Sequence, residues 1–169
     1  MEPIVHAIIP MLVLLAFFPK LDKKYIFYLL PIVWIIDLDI YIPTMHRYLF
    51  GNIFFVILLA GLAYWLWDKK ASLVALFYGF SHLVLDSGYP GTAWLWPLVD
   101  KTFYLSASVQ RNTEWLLDFG IGSLSRTDHL AVTEGITTST YFGETAALFL
   151  VLILIVLVIK NYKKIIKSH

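Results

Sequence analysis

Cysteine is absent from the chain, which excludes disulfides, thiol catalysis and cysteine-ligated zinc. Charge is scarce as well. Asp, Glu, Lys and Arg make up 15% of the 169 residues, against 59% apolar, whereas a soluble domain carries about 25% charged residues. So little polar surface cannot cover a soluble globule, and the composition argues for a membrane protein. The net charge is +1 and no basic stripe runs along the chain, so nucleic acid is not an expected partner. No segment repeats and none is of low complexity. Any metal must be held by His, Asp, Glu, backbone or water.

What the chain does have is five apolar runs. They predict an all-α, polytopic membrane protein of a single domain, with transmembrane helices near 4–18, 25–42, 53–67, 71–86 and 143–159 and an extramembrane cap over 98–142. The first run has lysines after it (Lys20, Lys23, Lys24) and Glu2 before it, the reverse of a signal peptide. Several runs are near 15 residues, shorter than the roughly 20 of a full span, so flanking aromatics or local thinning must make up the length. The cap is polar and mixed. It is expected to be ordered with little regular structure, with a short amphipathic helix at Thr113–Phe119 and an extended piece at Thr137–Thr140.

Lysine is unevenly distributed. Lys20, Lys23, Lys24, Lys69, Lys70, Lys160, Lys163, Lys164 and Lys167 fall on one side of the predicted spans, and Arg47, Lys101, Arg111 and Arg126 on the other. The positive-inside rule then places the N-terminus outside and the C-terminus in the cytoplasm.

The sharpest chemical signal is Gly79–Pro97, GFSHLVLDSGYPGTAWLWP. His82 and Asp86 are four apart and share one helix face, just before a turn rich in Gly and Pro. The predicted topology brings further groups to the same depth: His6 on the first helix, Asp37 and Asp39 near the end of the second, His46 and Arg47 in the loop after it. Such groups are costly in a membrane unless paired, solvated or bound to metal. Imidazole with carboxylate suits zinc, while carboxylate-rich sites also suit manganese or magnesium. Six candidate ligands could hold two ions.

The expected metal ligands are His6, Asp39, His46, His82 and Asp86. Asp37 is two residues from Asp39 and points elsewhere on a regular helix, so it is expected to orient a ligand. Arg47 is expected to stabilise a substrate anion. Simpler readings stand beside these. A His–carboxylate tie between two helices is the simpler reading of His82 and Asp86, an interfacial histidine that of His6, and a snorkel to lipid phosphate that of Arg47. Asp128 and His129, with Glu134, are expected in a solvated loop. The C-terminal lysines read as a topology anchor, and Trp94 and Trp96 as interfacial residues.

These residues resemble the membrane-bound metal-dependent hydrolases of the YdjM-like group. The resemblance rests on His6 in HAIIP, on Asp37, Asp39, His46 and Arg47 in DLDIYIPTMHR, and on His82, Asp86, Trp96 and Pro97 in GFSHLVLD and LWP. It implies a hydrolase without naming a substrate. Members of that group usually carry a second His where this chain has Gly51. An outer-face site predicts hydrolysis of a phosphoester or acyl bond in a membrane lipid or lipid-linked substrate. A metal or cation transporter, or a scaffold binding a partner through the cap, are the alternatives.

Overall fold

The computed structural model describes residues 3–18, 20–42, 45–111, 115–135 and 150–160. Helix α1 (Pro3–Phe17) opens the chain, and two short helices follow, α2 (Lys23–Tyr28) and α3 (Ile32–Ile36). The chain then tightens into a 3-10 turn over Asp37–Tyr41. Helices α4 (Ile53–Leu66) and α5 (Lys69–Leu85) form an antiparallel pair. Strands β1 (Lys101–Arg111) and β2 (Trp115–Ser125) make a hairpin in register from Lys101–Ser125 to Arg111–Trp115. Helix α6 (Arg126–Gly135) follows, and residues 150–160 are helical.

Two expectations are corrected. The chain is not all-α, because the hairpin occupies much of the predicted cap, and Trp115–Ser125 is strand where a short helix was expected. Thr113 and Thr137–Thr140 lie outside the described residues, as do 143–149 of the last apolar run. Nor do the runs form five spans, since among the described residues no helix is long and apolar enough to cross a membrane.

The physical reason lies in length. α1, α4 and α5 have 15, 14 and 17 residues, about 21–26 Å at 1.5 Å per residue, against a hydrocarbon core of about 30 Å. The second run breaks at Pro31, which lacks the N–H a continuous helix needs, and it breaks again where Asp37 begins the 3-10 turn. With no spanning helix among the described residues, the structure lends no support to the inside–outside assignment drawn from the lysines.

Side-chain caps start three helices. Asp22 accepts from the Lys24 N–H at 3.0 Å, Asn52 from Phe55 at 2.9 Å and Asp68 from Ala71 at 2.9 Å, each satisfying an N–H with no partner inside its helix. Asp68 also accepts from the Tyr25 hydroxyl, which ties α2 to the α4–α5 turn. The core lies between α1, α2, α3, α4 and α5, around Ile26, Val33, Ile36, Val56, Tyr78 and Leu83. Small residues let α4 and α5 approach closely: a Cβ on Gly79 would sit 2.6 Å from Val56 Cγ1.

The hairpin is stitched to the turn after α5. Thr92 and Phe103 exchange backbone hydrogen bonds of 3.0 and 2.9 Å, and the Leu105 N–H donates to the Ser87 carbonyl at 2.7 Å. This places the cap directly over the end of α5.

Candidate metal centre

His82 stands in the last turn of helix α5, with Asp86 at its C-cap. The i, i+4 spacing brings His82 Nε2 within 3.2 Å of Asp86 Oδ2. Asp37, at the start of the 3-10 turn, puts Oδ1 3.2 Å from the same Nε2. From α1, His6 Nε2 approaches the other oxygen of Asp86 at 3.0 Å, and its ring lies 4.8 Å from the His82 ring, centroid to centroid. The two histidines are 2% and 1% exposed. Four groups from three helical segments thus meet at one buried point.

Ligand atoms of Asp37, His82 and Asp86 lie within 4.8 Å of one another. The geometry fits an ion. Ligand bonds of about 2.1 Å put neighbouring ligand atoms about 3.0 Å apart in an octahedron and about 3.4 Å apart in a tetrahedron. The N···O separations of 3.0–3.2 Å match those edges. His6 Nε2 is buried and pairs with Asp86 Oδ1 at 3.0 Å. Two nitrogens and two carboxylates are also a donor set that zinc accepts.

The 3-10 turn separates the two aspartates. Asp39 turns away from Asp37, is buried, and accepts from His46 Nδ1 at 3.0 Å and from the Phe50 N–H at 3.4 Å. The structure therefore groups Asp37, expected as an orienting residue, with His82 and Asp86, and groups Asp39 with His46. His46 is partly exposed and stands in the loop after the turn.

Arg47 has φ +65°. Its Nη1 donates to the carbonyls of Gly91 at 3.2 Å and Asp86 at 3.4 Å, so part of the guanidinium holds the turn that carries Asp86. A Cβ on Gly51 would lie 2.9 Å from the Arg47 carbonyl oxygen. Position 51 thus has no room for a side chain while Arg47 keeps this backbone. Trp94 is half-buried rather than interfacial: its Nε1–H donates to Ser87 Oγ at 3.0 Å and its ring packs edge-on against Phe80.

One residue expected in a solvated loop is placed differently. His129 lies on α6 and is buried. Its ring stands edge-on to Tyr48 at 5.6 Å, and it hydrogen-bonds the Pro90 carbonyl. Burial pulls its imidazole down to about 4 against that hydrogen bond, with Arg47 and His46 adding to the fall. Arg126 lies over the other contact of Tyr48, 5.3 Å from the ring centroid. The signal for this helix is Ser125-x-x-Asp128, a capping pattern: the Asp128 N–H donates to Ser125 Oγ at 3.2 Å. Nothing is described of the Glu134 side chain.

No curated protein and no solved structure matches the chain. The sequence model that does match is described as YdjM inner membrane protein, and its match covers residues 1–164, including every residue of the buried cluster. The chain belongs to the YdjM inner membrane protein family.

Proposed function

We propose that this membrane-family protein is a metal-dependent hydrolase whose ion is held by Asp37, His82 and Asp86, with His6 as the fourth ligand. The observation that carries the reading is the convergence of Asp37, His82 and Asp86, whose ligand atoms lie within 4.8 Å of one another, with both imidazoles buried and His6 Nε2 3.0 Å from the second Asp86 oxygen. The mixed nitrogen and oxygen donors favour zinc, with manganese or magnesium as the alternatives. A divalent ion in that position supplies a Lewis acid and a water of lowered pKa. Asp86 is the hub, with one oxygen toward each histidine. Arg47 keeps Asp86 in place through its main chain and leaves a positive charge beside the site for a substrate anion. Asp39 orients His46.

The surroundings support a lipid-like substrate. Leu38, Tyr41 and Ile42 flank the two aspartates and are exposed, as are Phe80 and Val84 on α5. An apolar surface next to a charged site suits a lipid or lipid-linked substrate with a phosphoester or acyl bond. The test is metal analysis of the purified protein and of His82→Ala, alongside phosphatase and esterase assays on lipid substrates. Wild type is expected to carry about one ion per chain and His82→Ala to lose it together with activity. Equal metal content in the two proteins sinks the reading.

A further inference from the structure

The cap holds one histidine that the metal site does not use, and its two contacts point back to that site from opposite directions. On one side His129 bonds the Pro90 carbonyl, which also accepts from Thr102 Oγ1 at 3.1 Å. Pro90 belongs to the turn running from Asp86 to Thr92, where Thr92 Oγ1 donates to the Asp86 carbonyl at 2.9 Å. On the other side the His129 ring packs against Tyr48. Tyr48 follows Arg47, whose Nη1 reaches the carbonyls of Asp86 and Gly91. The contacts close into a ring: Asp86, the turn, Pro90, His129, Tyr48, Arg47 and back to Asp86.

We infer that His129 is a positioning residue for the metal centre, bracing from the cap, through its bond to the Pro90 carbonyl, the turn that carries Asp86. This rests on the metal reading given above. Its chemical content is rigidity. A carboxylate at a helix C-cap has no following helical turn to fix it, so its direction depends on the turn beyond. That turn is held by donors from β1 (Thr102), the loop (Arg47) and α6 (His129). Residues that orient a ligand in this way typically change metal affinity by about 10–100-fold when removed.

Two variants each keep one of the two contacts. His129→Phe keeps a ring against Tyr48 and fills the buried space, but cannot donate to Pro90. His129→Gln keeps a donor and loses the ring. Zinc affinity of the purified full chain, measured by competition with a chromophoric chelator, is expected to fall about tenfold for His129→Phe and to stay within about threefold of wild type for His129→Gln. A merely space-filling histidine predicts the reverse order. Wild-type affinity in His129→Phe overturns the inference. His82→Ala serves as the control for the underlying reading. If it binds zinc like wild type, the metal centre itself is rejected; if it loses zinc while His129→Phe does not, only the positioning role is rejected. A measurement without mutation covers the case in which His129→Phe does not fold. Coupling between two sites is reciprocal, so adding zinc to the wild-type chain must slow amide exchange across Arg126–Gly135. Unchanged exchange there overturns the inference as well.

Discussion

Arg47 and Gly51 are best understood as one unit. The left-handed backbone at Arg47 costs of order 1 kcal/mol for a residue with a side chain, and it persists because Gly51 lets the Arg47 carbonyl lie against its Cα. Gly51→Ala is expected to lower stability by about 1–3 kcal/mol, the usual range for overpacking. It is also expected to weaken zinc binding, because Arg47 and with it the Asp86 carbonyl must move. A thermal melt and a zinc titration check both. His129 gives a second prediction at this scale. Its imidazole is at about 4 in the folded protein and near 6.5 when unfolded. Above pH 6.5 both states are neutral and the contribution is fully present. As pH falls from about 6.5 toward 4, the unfolded chain takes a proton that the folded one refuses, and stability drops. Tyr48 packs edge-on against this ring, and Arg47 and His46 act on its charge. Melting temperature in wild type is therefore expected to fall more over that window than in His129→Gln; parallel curves would refute it. Much of the cluster was legible from spacing alone. His82 and Asp86 share a face whatever surrounds them, while the choice between Asp37 and Asp39 depended on a helix tightening to three residues per turn, which the residues DLDIY do not announce.

Among the elements, the α4–α5 pair sets how closely the site can be built. Gly79 sits where a Cβ would strike Val56, a β-branched residue with little rotamer freedom in a helix. Gly79→Ala gains about 1 kcal/mol of helix propensity, but a 2.6 Å approach outweighs it through an overpacking cost of about 1–3 kcal/mol. Gly79→Ala alone is expected to lower the melting temperature, and the addition of Val56→Ala to restore part of it. A double variant no more stable than the sum of the single losses would show that the contact is not the cause. The apolar runs were legible as helices because their composition leaves few other ways to satisfy the backbone. The hairpin was hidden by its polarity. Its signal is the alternation Phe103, Leu105, Ala107, Val109 against Thr102, Tyr104, Ser106, Ser108, a period of two that a reading by composition passes over.

At the scale of the whole molecule, membership of an inner membrane protein family meets a fold whose described helices are too short and interrupted to cross a bilayer. Apolar content and span length are separate properties, and the sequence displays the first far more openly than the second. Pro31 and the turn at Asp37 divide what reads as one eighteen-residue run into pieces of 6 and 5 residues. The large exposed side chains, among them Tyr28, Trp65, Trp67, Leu38, Tyr41 and Leu98, are what that apolar content becomes once folded. Every residue proposed to bind metal precedes Ser87, so a shortened chain ending near Pro97 looks like a sufficient minimal enzyme. The backbone bonds between Thr92 and Phe103 and between Ser87 and Leu105 argue otherwise. Cutting there removes the strand that clamps the turn, together with Thr102 and His129. Such a fragment is expected to keep all four ligands and yet bind zinc at least about tenfold more weakly than the full chain, by the same chelator competition. Equal affinity would show that the first half of the chain is self-sufficient. On the proposed reading, the working unit extends to the last supporting contact, some forty residues beyond the last proposed ligand.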